Sequence, residues 1–283
     1  MPILGTFGAG SARGFGETSG GAAPVPVDYL VVAGGGGGGI YDNNNGAGGG
    51  GAGGMRFSYG CGSVCQVEIE PGVEYTITVG GGGAKSPSNN TPSSRGGNSV
   101  AFACEAFSIT STGGGGGKPG QSCGGSGGGG TSVYSSPGDS GNTPPTSPSQ
   151  GNPGGGGSGA HPAPANAGGG GGGHGGAGGN AGPGNDGAPG AGTANSITGS
   201  PVTYAFGGSG GGGPCGGNGC AEVGAGGGGG RQMGTAANGG SGVVVIRIPC
   251  GPGDTAVTPG TNTVSDDGSD KVARFTVTGT LTI

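Results

Sequence analysis

Hydrophobic positions in this chain come in short bursts separated by glycine. Tyr29-Leu-Val-Val32 is a β-rich run that stops at Ala33 and is followed by six glycines. Val64 to Ile69 and Tyr75 to Val79 alternate apolar and polar residues around the turn signal Glu70-Pro71-Gly72, which predicts a hairpin. Further strands are expected at Met55 to Tyr59, Ser99 to Phe102, Phe107 to Thr110, Val202 to Phe206 and Val243 to Ile248. Lys271 to Ile283 alternates as a terminal strand would. No segment carries a helical apolar face, so α-helix should be almost absent.

Between these strands lie glycine tracts at 34–39, 48–51, 80–83, 113–117, 127–130, 154–157, 168–173, 210–213 and 226–230. Several follow a strand directly, as at Ala33, Val79, Thr112 and Ser209. Glycine tracts have access to the extended threefold helix of the polyproline II type, which has no internal hydrogen bonds and rises about 3.1 Å per residue. Each N–H and C=O must then pair with a neighbouring chain, and only glycine lets backbones come close enough. The fold expected is mainly β, a small β core clamping a bundle of polyglycine II helices. Polar segments should cap the rod ends: 40–45, 85–95, 131–152, 158–167, 180–195, 214–223 and 231–238. Residues 1–27 read as an attachment arm or linker, 28–249 as the glycine-rich β domain, and 250–283 as a C-terminal β extension after the break Gly251-Pro-Gly-Asp254.

Composition tests this picture. Glycine accounts for 89 of 283 residues, several times the usual share of roughly 7%. Three Leu, nine Ile, 19 Val and seven Phe are too few for more than one small core. Such a shortage ordinarily signals disorder, but charge runs are missing and the glycines sit in blocks joined to strands. Collagen is excluded because glycine does not recur at every third position. A net charge of −5 removes a basic face for nucleic acid. No apolar stretch is long enough to span a membrane, and the N-terminus lacks the pattern of a secretory signal.

Tempting motifs fail on context. Asp28 to Gly37 imitates a dinucleotide-binding turn, but Asn43-Asn-Asn-Gly-Ala cannot continue as the helix such a site requires. Val79 to Ser86 echoes a phosphate-binding loop, but Val79 and Ala84 replace its two glycines. His161 and His174 sit in glycine-rich context and read as solvent-facing loop residues without a shelf to orient a nucleophile. Asp266, Asp267 and Asp270 read as a polar turn, since the calcium-loop pattern is absent. Cys61, Cys65, Cys104, Cys123, Cys215, Cys220 and Cys250 are expected to form two or three disulfides or to be inert thiols, in preference to a zinc site. No enzyme, cofactor or metal is expected.

The order of these segments resembles the glycine-rich domain of bacteriophage tail fibre and other virion proteins. The resemblance runs from Tyr29-Leu-Val-Val-Ala-Gly, through Glu70-Pro-Gly-Val-Glu-Tyr75 and Ile109-Thr-Ser-Thr-Gly, to Gly-Val-Val-Val-Ile-Arg-Ile248. The tracts are also similar to those of the polyglycine II adhesins at the fibre tips of T-even-like phages. This resemblance implies a virion protein made in the host cytoplasm, bound to other virion proteins or within a homo-oligomer through Ile3, Leu4 and Phe7. It further implies loops that contact a host cell-surface receptor, with Tyr41, Asp42, Asn43, Asn44, Tyr134, His161, Arg231, Gln232 and Met233 as contact residues. A decoration protein without receptor binding is the alternative; a free polyglycine binder, such as an ice-binding protein, is the third.

Overall fold

The computed structural model describes residues 23–41, 45–61, 65–89, 91–117, 123–159, 166–211, 219–229, 236–249 and 254–283. Thirteen short strands are present among them. They are β1 (Val25–Val32), β2 (Met55–Phe57), β3 (Val67–Ile69), β4 (Glu74–Thr78), β5 (Ser99–Ala103), β6 (Ile109–Ser111) and β7 (Thr193–Asn195). β8 (Val202–Tyr204), β9 (Val243–Ile248), β10 (Ala256–Thr258), β11 (Thr263–Asp267), β12 (Asp270–Phe275) and β13 (Gly279–Thr282) follow. The helical content described is limited to a 3-10 turn at Val133–Ser135 and a 3-10 residue at Cys65. The fold is therefore mainly β, as expected.

The first sheet has the order β11-β12-β9-β1-β2, with β3 also on β1; the second runs β10-β13-β4-β5-β6. Alternation along β1 and β9 explains their unbroken apolar runs. Val27, Tyr29 and Val31 of β1 and Val244, Ile246 and Ile248 of β9 enter the core shared with the second sheet. Leu30, Val32, Val243 and Val245 pack on the opposite face with Met55, Ile197 and Tyr204. A sheet covered on both faces needs no polar alternation. Opposite it, Tyr75 and Phe102 meet edge to face with ring centroids 5.6 Å apart.

Two expectations are corrected here. The Glu70-Pro71-Gly72 turn does not close a hairpin, because β3 pairs with β1 whereas β4 pairs with β5 and β13. The turn instead crosses between sheets, so that Ile69, Tyr75 and Ile77 enter one core from opposite sides. Gly72 supplies the positive φ of 79° this crossing uses, and its N–H is held by the Ile283 carbonyl at 2.7 Å. Nor are the last thirty residues an appended element. β12 pairs with β9 and β13 with β4, and Phe275 and Leu281 are fully buried in the shared core. The terminal strand expected over 271–283 is divided between the sheets.

Beyond the sheets the glycine tracts form a bundle. Ala33, Gly36 and Gly39 donate to the carbonyls of Gly54, Gly51 and Gly48 at 2.9, 2.9 and 3.0 Å. Gly34 and Gly37 donate to Gly97 and Ser94, and Gly35 and Gly38 donate to Gly240 and Ala237. Residues three apart thus face the same neighbour, which is the threefold symmetry of polyglycine II. The carbonyls of Gly34 and Gly37 accept from Gly114 and Gly117, those of Gly35 and Gly38 from Gly83 and Ser86, and that of Gly36 from Gly227. The rod 33–39 is accordingly surrounded by six others: three antiparallel ones accept from it, and three parallel ones donate to it.

Rods 46–54 and 168–173 are also hydrogen-bonded on all sides, with other combinations of chain direction, and they touch each other through Gly49 to Gly169 and Ala52 to Gly172. Spacing this close leaves no room for a side chain at most interior glycines, although the methyl groups of Ala47 and Ala52 are fully buried in rod 46–54. A Cβ built at Gly36 would fall on the carbonyl oxygen of Gly115, one at Gly50 on that of Gly36, and one at Gly171 on that of Gly50. By contrast, a Cβ at exposed Gly81 meets nothing within 4 Å. Gly36→Ala should therefore lower unfolding stability by roughly 3 kcal/mol or more, while Gly81→Ala is nearly neutral. Urea denaturation of the two variants beside the parent checks this. In the β core, Phe275→Ala should cost about 3–5 kcal/mol in the same assay, as expected of an integral strand and not of an appended one.

Candidate functional site

Because strands run straight into rods, the bundle has a strand end and a far end. β1 leads into 33–39, which finishes at Ile40 and Tyr41; the chain returns along 46–54 into β2. Several connections gather at the far end. Ser132 donates its N–H to the Gly46 carbonyl at 3.0 Å, and Asn166 Nδ2 donates to Asn45 Oδ1 at 2.7 Å. Ser158 and Ala167 pair as an isolated bridge, and Gly211 donates to Ala47. Gly229, the last described residue before Arg231, Gln232 and Met233, donates to Ser209.

Half-buried Tyr41 and the backbone of Tyr134, within its 3-10 turn, therefore stand on one face. The described residues flanking His161 and Arg231 to Met233 reach the same face. Asp42, Asn43, Asn44, His161, Arg231, Gln232 and Met233 themselves lie outside the described residues, as do Ile3, Leu4 and Phe7. Among the described cysteines, Cys61, Cys65, Cys104, Cys123 and Cys220 are free thiols, so none of them forms a disulfide here. Cys215 and Cys250 lie outside the described residues. No group of three or more metal-ligating side chains occurs among the described residues.

At the strand end, a small cleft escaped the sequence reading. It encloses about 110 Å³ between β2 and the loop 142–150, and its walls include Tyr29, Met55, Phe57, Cys61, Pro148 and His174. The loop is held firmly. Asn142 Oδ1 accepts from the Thr146 N–H and hydroxyl, both at 3.0 Å. Fully buried Gln150 accepts from the Thr112 N–H at 2.8 Å and donates to the Pro144 carbonyl at 2.9 Å. These bonds leave Pro144, Pro145, Ser147, Pro148 and Ser149 exposed as a crest beside the cleft.

His174 corrects the sequence reading most sharply. It ends the rod 168–173, donates its N–H to the Ala205 carbonyl at 2.8 Å and is half-buried instead of solvent-facing. Its Nδ1 shares a 2.7 Å hydrogen bond with Thr193 Oγ1, and its ring meets Phe57 edge-on at 6.1 Å. Burial lowers its pKa, and a backbone hydrogen bond with Ser149 opposes that shift. Burial likewise raises the pKa of the Tyr29 phenol, against the influence of Arg56. The cleft thus sets the aromatic rings of Tyr29, Phe57 and His174 beside the cationic Arg56.

The acidic group near the C-terminus also has a structural partner. Asp267 and Asp270 hold Arg247 at 2.7 and 2.9 Å, and its guanidinium lies over the Tyr59 ring at 5.4 Å. Gly268, with φ of 66°, makes the β11–β12 turn between the two carboxylates. The turn itself is as expected; its hold on Arg247 is not visible in local sequence.

A family model described as a glycine-rich domain matches residues 17–249. The chain belongs to that family. No curated protein and no solved structure matches it. The matched span takes in the rods and β1 to β9, so the glycine-rich domain includes both the far-end face and the cleft. Strands β10 to β13 fall beyond the match yet complete both sheets around it.

The placement of His174 has a pH signature. Its folded-state pKa lies below the ordinary value of 6.5, so the unfolded chain takes up the proton first. Its contribution to stability is complete above about 6.5 and is lost as pH falls from there to the folded-state pKa. An NMR titration of His174 should show a midpoint below the ordinary value, and His174→Asn should remove this part of the acid-side loss. An ordinary or raised midpoint contradicts the buried placement.

Proposed function

We propose that this glycine-rich protein is a non-enzymatic virion structural protein of a bacteriophage, a tail fibre or tail-tip component whose far-end loops contact a host receptor. One observation carries the reading: separate connections, including those bearing Tyr41 and Tyr134, converge on one face of a laterally hydrogen-bonded bundle. The bundle holds that face away from the sheets. Loop residues can then vary without disturbing either the interior glycines or the β core. The ordered resemblance to tail-fibre glycine-rich domains supports the same assignment. In this reading the N-terminal arm, with Ile3, Leu4 and Phe7, attaches the protein to other virion proteins or to its own copies.

The test has two parts. Gold labelling with an antibody against residues 131–152 should mark the tail of particles released by the strain that encodes the chain. Absence of label from intact particles overturns the virion assignment. In labelled particles, combined Tyr41→Ala, Tyr134→Ala and Arg231→Ala should slow adsorption to host cells at least tenfold without lowering incorporation. Unchanged adsorption with reduced particle stability would instead support a decoration protein.

A further inference from the structure

Strands β2 and β3 occupy the same edge of β1: β2 lies against Leu30–Val32 and β3 against Val25–Val27. The chain must therefore leave that edge after Phe57 and rejoin it before Val67. One carboxylate holds both ends of the excursion. Ser58 Oγ donates to Asp28 Oδ1 at 2.8 Å, and Gln66 Nε2 donates to Asp28 Oδ2 at 2.9 Å. Ser58 is also tied to Tyr29, accepting its N–H at 2.9 Å and donating to its carbonyl at 3.0 Å.

Cys61 and Cys65 sit just inside these anchors. The Cys61 N–H donates to the Ser58 carbonyl at 2.8 Å, which fixes one side of the neck. The two thiols are in hydrogen-bond contact with each other, and Cys61 also lines the cleft. Cys61 is exposed and Cys65 half-buried. Two independent features, the shared strand edge and the shared carboxylate, hold the two ends of the excursion together next to these thiols.

We propose that Cys61 and Cys65 form a reversible dithiol–disulfide pair beside the Asp28 anchors at the rim of the cleft. The oxidant is a small-molecule disulfide such as oxidised glutathione. The Cys61 thiolate attacks one of its sulfurs and expels one thiolate, leaving a mixed disulfide on Cys61. The Cys65 thiolate then attacks Cys61 Sγ and expels the second thiolate. The protein loses two protons and two electrons, and the external disulfide becomes two thiols. This order follows exposure. The hydrogen bond with Cys61, with the Asp28 charge as a lesser influence, pushes the Cys65 pKa up and keeps it a thiol near neutral pH. Closure should accordingly quicken as pH rises. A reducing cytoplasm would keep the pair open, and an oxidising exterior would close it. The inference does not depend on the virion reading.

The test uses the purified full-length protein, reduced and then exposed to oxidised glutathione at mildly alkaline pH. Remaining thiols are blocked with N-ethylmaleimide and the digest is mapped by mass spectrometry. Cys61 and Cys65 should become linked to each other, with loss of two hydrogens, roughly tenfold faster than Cys104 is modified. Dithiothreitol should restore both thiols. Cys65→Ser should accumulate a stable glutathione adduct on Cys61. A lasting adduct on Cys61 of the parent beside a free Cys65 overturns the proposal, as does preferred linkage of either residue to any other cysteine. Failure of Cys65→Ser to trap an adduct overturns the proposed order of attack.

Discussion

The whole architecture depends on backbone hydrogen bonding between chains that have no side chains in the way. A polyglycine II rod satisfies none of its own N–H and C=O groups, so a single rod in water gains nothing that offsets the entropy of straightening it. Enclosure changes that balance. Each residue of 34–38 and 49–52 donates to one neighbour and accepts from another, and the close spacing adds lateral contacts that larger residues would prevent. Glycine, normally an entropic liability in regular structure, is here the packing residue. Among the described residues, most buried large apolar side chains lie on the two faces of the first sheet and the inner face of the second, with Ile40 buried apart from them at the far end.

The sheets make such a bundle possible by setting chain direction and registry at one end. β1 and β9 align their following and preceding tracts, β4 and β6 launch two more, and β2 receives another. Each strand pairing therefore fixes which carbonyl a nearby rod meets first. The division of labour is clear in energetic terms: apolar burial orders the strand end, and the hydrogen-bonded array extends that order outward.

Much of this was legible along the chain because blocks of glycine abut blocks of β-branched residues. The run Val243–Ile248 was read with its observed limits, and β4, β5 and β6 were found within a residue or two. What alternation cannot reveal is the partner. It places Ile69, Tyr75 and Ile77 on a buried face but is silent on whether two strands share a sheet, and so the 70–72 crossing looked like a hairpin. The same limit hid the gathered far-end loops, since the direction of each rod is decided by its pairing. The cleft was missed for a related reason. His174 has glycine neighbours in sequence, but in space it has Phe57, Thr193 and Ser149, each brought by a different segment. Gln150 gave no local sign that it would be buried and doubly bonded.

The threefold pattern also sets a unit of length for the molecule. Adding or removing three residues from an interior rod leaves every later amide facing its former neighbour, displaced by about 9 Å. Adding one or two turns all later amides by a third of a revolution, and every partner along that rod changes. Tract lengths can consequently drift in triplets at low cost, much as a crystal grows by whole cells, whereas other insertions must be absorbed in the connections. The lattice thus acts as a reading frame written in hydrogen bonds, with the exposed loops as the places where it can be reset.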